Sequence, residues 1–96
     1  MNYDVDYFIN KFEAIPDEKW TTNKYERNGQ YCAYGHCGMR GGFAVDPEPF
    51  ALKMLFKSND FAVIEVNDGL GHMTKFGNSP KNRIMNVLKE IKGKQV

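Results

Sequence analysis

The sequence predicts a mainly α fold of four to five short helices, with room for a small β-hairpin at residues 21–31. Three observations carry this. Apolar residues repeat at helical spacing near both ends, at Val5, Phe8, Ile9 and Phe12 and again at Ile84, Val87, Leu88 and Ile91. Capping residues followed by proline open the last of these runs, at Ser79-Pro80, and one further helical run, at Asp46-Pro47. The one strand-like run, residues 61–66, has no obvious partner apart from the possible hairpin.

The first helix spans residues 4–14. Asn2 or Asp4 caps it, and Pro16 stops it because the residue before a proline is pushed out of the helical region. Pro16-Asp17-Glu18-Lys19-Trp20 suits a single helical turn with proline at its first position. Trp20, the only tryptophan, is expected to plug the core. Residues 21–31 are polar, and Asn28-Gly29 signals a turn between Tyr25 and Tyr31, as a hairpin or a plain loop.

Residues 32–39 read as a short helix that ends before Gly41-Gly42. Its small residues 33, 35 and 38 would let a neighbour approach closely. Asp46-Pro47-Glu48-Pro49 starts the next helix, with Phe50, Ala51, Met54 and Leu55 as its apolar face and Ser58-Asn59-Asp60 as its end. Residues 61–66 have the β-branched content of a strand. A lone strand lacks a partner, so a short buried helix capped by Asp60 is preferred, closed by an Asn67-Asp68-Gly69 turn. A glycine-containing loop covers residues 70–78. The last helix covers residues 79–92, with Ser79 as cap, Pro80 at its first position and Gly93 as its stop.

Ninety-six residues make one domain, spanning 1–96. The net charge of +1 gives no overall pull toward nucleic acid or anionic membrane, and nucleic-acid binding is not expected. Residues 1–20 carry a balance of −3 and residues 80–96 one of +4. The ends therefore attract one another within a monomer or across a homodimer, or simply complement helix dipoles. No run approaches a membrane span, and no basic, apolar leader opens the chain. The expectation is a cytoplasmic protein whose two cysteines are reduced thiols.

Seven residues are candidates for a site. Cys32 and His36 share a helical face at i, i+4, and Cys37 is rotated away. With His72 they would make a four-ligand metal set, but C-x4-C is not a zinc-knuckle spacing. A nucleophilic cysteine would need His36 or His72 as base and Asn67 or Asp68 to orient it, and no local signature supports that arrangement. Asn67 and Asp68 beside a glycine loop either contact a ligand or satisfy local backbone groups. Lys81 and Arg83 flank the free N–H groups at the start of the last helix, an anion-friendly arrangement that a capped, solvated helix would equally explain. No phosphate-loop pattern is present, and no cofactor is expected.

Trp20, Gly29, Cys32-Ala33, Gly35-His36, Asn67-Asp68-Gly69 and Pro80-Lys81-Asn82-Arg83-Ile84 form an ordered pattern along most of the chain. It resembles a loose class of small bacterial and phage proteins with a Cys-Ala-x-Gly-His segment and an Asn-Asp-Gly turn. The resemblance implies a compact helical domain in which those two segments meet, and it brings no activity with it. The expected function is that of a non-enzymatic accessory or inhibitor-type protein of phage or mobile-element origin. It would bind a partner protein or a small anionic ligand, and a metal-bound or catalytic Cys/His site is the alternative.

Overall fold

The structure, a computed structural model, describes residues 2–42 and 45–95. It is mainly helical, with one small antiparallel hairpin. In chain order come α1 (Val5–Glu13), a 3₁₀ turn (Asp17–Lys19), β1 (Glu26–Arg27), β2 (Gln30–Tyr31), α2 (Ala33–His36), α3 (Pro47–Lys57), α4 (Val63–Asp68), a second 3₁₀ segment (Gly71–Phe76) and α5 (Pro80–Lys94).

Caps set most of the boundaries. The Asp4 carboxylate accepts from the Tyr7 N–H at 2.9 Å, and the Ser79 hydroxyl from the Asn82 N–H at 3.1 Å. Asn28 and Gly29 both have positive φ, 51° and 84°, as a two-residue hairpin turn requires. They pair Arg27 with Gln30 and Glu26 with Tyr31.

Six details differ from the sequence reading. Helix α3 turns Pro49, Leu52 and Phe56 into the core, while Phe50 and Met54, expected on its apolar face, are exposed. Pro16 flanks the first 3₁₀ turn instead of opening it. Ala62, not Asp60, precedes α4, because Asp60 takes a left-handed φ of 65° as the chain leaves α3. Asn67 and Asp68 belong to α4, and only Gly69 forms the left-handed stop. Residues 71–76 coil as 3₁₀ helix where a loop was expected. Gly93 lies inside α5, which runs on to Lys94. Residues 63–68 become helix because two-residue strands offer no sheet to extend. Val63, Val66 and Asn67, at i, i+3 and i+4, are all turned into the core.

Helices α1 and α5 run antiparallel. Lys92 pairs with Asp6 at 2.6 Å near one end, and Lys81 Nζ donates to the Glu13 carbonyl at 3.0 Å near the other. The opposite charges of the two chain ends thus meet within one molecule. Phe8, Phe12, Leu52, Phe56, Val66, Ile84, Val87, Leu88 and Ile91 are fully buried between the helices. Trp20 joins this core, edge-on to Phe12 at 5.3 Å between ring centroids. Among the described residues, no helix is long and apolar enough to cross a membrane.

Candidate functional site

A cavity of about 370 Å³ opens between the hairpin arm, α2 and α4. Asn23, Lys24 and Tyr25 line one side, Cys32, Ala33 and Tyr34 a second, and Val63, Ile64, Asn67 and Asp68 the third. A second cavity of about 290 Å³ is lined by Lys53, Lys57, Phe61 and Ala62 together with Tyr34, Val63 and Ile64, which it shares with the first.

The frame around the larger cavity hangs on Asn67. This side chain is only 1% exposed. Its Oδ1 accepts from the Ala33 N–H at 3.0 Å, and its Nδ2 donates to the Thr21 carbonyl at 3.0 Å and to Asp68 Oδ1 at 2.9 Å. Asp68 in turn accepts from the Asn23 N–H at 3.1 Å. Two adjacent residues therefore hold the hairpin arm and the start of α2 against α4. Arg83 closes the far end of α4. It donates from Nε to the Val66 carbonyl and from Nη2 to the Asn67 carbonyl, at 2.9 and 2.7 Å, and from Nη1 to Gly77. Burial pulls its pKa down.

Glycines permit the close approaches. A Cβ on Gly35 would lie 2.0 Å from the Tyr25 carbonyl oxygen, so α2 could not seat against the hairpin with any larger residue there. Gly69, at φ +70°, packs on the Arg83 guanidinium. The Cys-Ala-x-Gly-His segment and the Asn-Asp-Gly turn meet through the Asn67 side chain, which accepts from the Ala33 N–H.

Of the seven candidate residues, Cys32, Asn67 and Asp68 line the larger cavity and the other four do not. Cys32 precedes α2, and its sulfur accepts from the Gly35 N–H at 3.4 Å. Burial pushes its thiol pKa up, the reverse of what a nucleophile needs. His36 packs against Trp20 and Tyr31, at 4.6 and 5.4 Å between ring centroids. Its Nε2 is buried with no hydrogen-bond partner among the described residues. Burial, followed by the charges of Lys11 and Arg40, lowers its pKa to about 4.

His72 is exposed on the second 3₁₀ segment. Lys81 and Arg83 both turn onto main-chain carbonyls, and Ser79 is engaged by Asn82 and Asp17. The Lys81 and Arg83 side chains that suggested an anion site at the start of α5 are therefore engaged within the protein. Among the described residues, no three His, Cys, Asp or Glu side chains gather where they could hold a metal ion.

One polar cluster gave no signal in the sequence, because its members lie far apart in the chain. Glu48 on α3 pairs with Lys11 at 2.8 Å, accepts from the Tyr7 hydroxyl and faces the Cys37 thiol. Burial raises the Glu48 carboxyl, but the bonds from Lys11 and Tyr7 outweigh it and the net pKa falls. Burial and the same carboxylate push Cys37 well up. The cluster ties α3 to α1 and does not line either cavity.

No family model, curated protein or solved structure matches the chain.

Proposed function

We propose that the protein is a non-catalytic binding module whose larger cavity receives an apolar group of its ligand. The single observation behind this is the cavity of about 370 Å³, which falls within the size of small-molecule sites. Its walls are largely the side chains of Tyr25, Ala33, Tyr34, Val63 and Ile64. Cys32 borders it with its thiol pKa raised by burial, so the arrangement favours recognition over acyl transfer.

Ile64 supports the reading from the solvent side. It is 48% exposed although it lines both cavities, as expected of an apolar contact left open for a ligand. The test is titration with indole and toluene, followed by amide NMR. Saturable shifts at Ala33, Val63 and Ile64 are expected, and Ile64→Glu should abolish them without disturbing the core. Absence of shifts there, or shifts unchanged in Ile64→Glu, would refute the proposal.

A further inference from the structure

We infer that the two cavities form one site for a small monocarboxylate with an apolar tail. The tail lies in the larger cavity and the carboxylate at Lys53 and Lys57 in the smaller. The inference rests on the cavity reading above and adds the chemistry of the ligand.

The first argument is charge. In the larger cavity Lys24 is matched by Asp68, so its walls are balanced and otherwise mostly apolar. The smaller cavity has Lys53 and Lys57 on its wall and no acidic residue. Both lysines are exposed, and neither joins an ion pair among the described residues. An anion at that end meets two uncommitted cations, whereas an apolar chain at the other end meets no net charge.

The second argument is Tyr34, independent of the lysines. Its side chain lines both cavities and is only 6% exposed. Its hydroxyl makes no hydrogen bond with the described residues and is not one of their fully buried polar atoms, so it is open to a ligand group. Burial pushes its pKa up to about 12, so it is an O–H donor at neutral pH. Tyr34 lies on the wall that the two cavities share, and an O–H donor there suits a carboxylate oxygen. The shared wall of Tyr34, Val63 and Ile64 gives the tail a continuous apolar path between the lobes.

The experiment is an amide NMR titration of the full chain with octanoate, with octanol as the neutral isostere and with an acidic-apolar peptide. Octanoate should shift Tyr34, Val63, Ile64 and Lys57 saturably and bind about tenfold more tightly than octanol at low salt. Tyr34→Phe keeps the ring and should weaken octanoate roughly tenfold. Lys53→Ala with Lys57→Ala, both on the surface, should weaken octanoate about fivefold and leave octanol unchanged.

Equal binding of octanoate and octanol overturns the inference but leaves the apolar-cavity reading standing. So does an unchanged octanoate affinity in the double lysine variant. Binding of the peptide without octanoate also overturns it. If neither octanoate nor octanol binds, the inference falls, and the indole titration then decides separately whether the cavity accepts apolar groups at all.

Discussion

His36 shows how a residue that looks like chemistry can belong to packing. Its ring fills the space between Trp20 and Tyr31, with Lys11 and Arg40 adding positive charge nearby. Protonating it there is unfavourable, which is why its pKa falls to about 4 from an ordinary value of about 6.5. The unfolded chain takes up the proton first as pH drops. Stability is therefore complete above about pH 6.5 and declines as pH falls toward 4, by about 1–2 kcal/mol once screening of a partly exposed ring is allowed for. Glu48, held low by Lys11 and Tyr7, gives way only below the ordinary carboxylate range and does not blur this window. Urea denaturation across pH 7 to about 4.5 should show the decline, and His36→Phe should flatten it; an identical slope in the variant would count against the assignment. Asn67 carries the other test at this scale. Asn67→Ala strands the Ala33 N–H and the Thr21 carbonyl and should cost about 2–4 kcal/mol by denaturation. A loss below about 0.5 kcal/mol would mean that water replaces the amide.

At the level of elements, glycines separate contact from propensity. Gly35→Ala drives a methyl into the Tyr25 carbonyl, forcing α2 away from the hairpin, and should cost about 3 kcal/mol or more. Gly93 lies in α5 with ordinary φ and nothing near its would-be Cβ. Gly93→Ala should therefore stabilise by about 0.5–1 kcal/mol. Thermal unfolding of the two variants checks both signs, and a destabilised Gly93→Ala would show that its surroundings are tighter than they look. The same contrast explains what was legible in the sequence. Helices α1 and α5 could be read because their caps and apolar stripes are local signals, whereas α3 was legible through its prolines but not through its stripe, since it buries Pro49, Leu52 and Phe56 in place of Phe50 and Met54. The hairpin was legible through Asn28-Gly29 alone. Residues 61–66 were ambiguous because β-branched content and burial pull in opposite directions, and only the lack of a sheet decides between them. Gly93 misled because glycine is a stop only where φ turns positive, which it does at Gly69 and not at Gly93. Of the larger cavity's lining, Cys32 stands out in the sequence for its Cys/His cluster, and Asn67 and Asp68 for their place beside a glycine loop. Tyr34, Lys53, Lys57 and Ile64 carried no mark, because which wall they line depends on how α2, α3 and α4 meet. Lys81 and Arg83 read as an anion site because no sequence pattern shows that carbonyls of Glu13, Val66 and Asn67 lie within their reach.

On the scale of the whole molecule, the last element in the chain holds the first in place. Helix α5 buries Ile84, Met85, Val87, Leu88 and Ile91, and its Arg83 supports the end of α4. Five such side chains contribute about 10 kcal/mol of burial. A domain of this size has a net stability of roughly 5–10 kcal/mol, so the remainder cannot stand alone. Without α5, moreover, α1 loses its antiparallel partner and the ion pair between Asp6 and Lys92. A chain ending at Asn78 is therefore expected to be unfolded, with a collapsed amide NMR spectrum and little helical circular dichroism. In the full chain, Trp20 touches Phe12 of α1 and His36 of α2, so its fluorescence reports a contact that exists only when those elements are docked. The helical signal arises mostly from α1, α3 and α5. If the core is one cooperative unit, fluorescence and circular dichroism give the same urea midpoint and a single transition. Separate midpoints, or a dispersed spectrum from the truncated chain, would instead mean that the hairpin, α2 and α4 form a unit of their own, with the cavity at its centre.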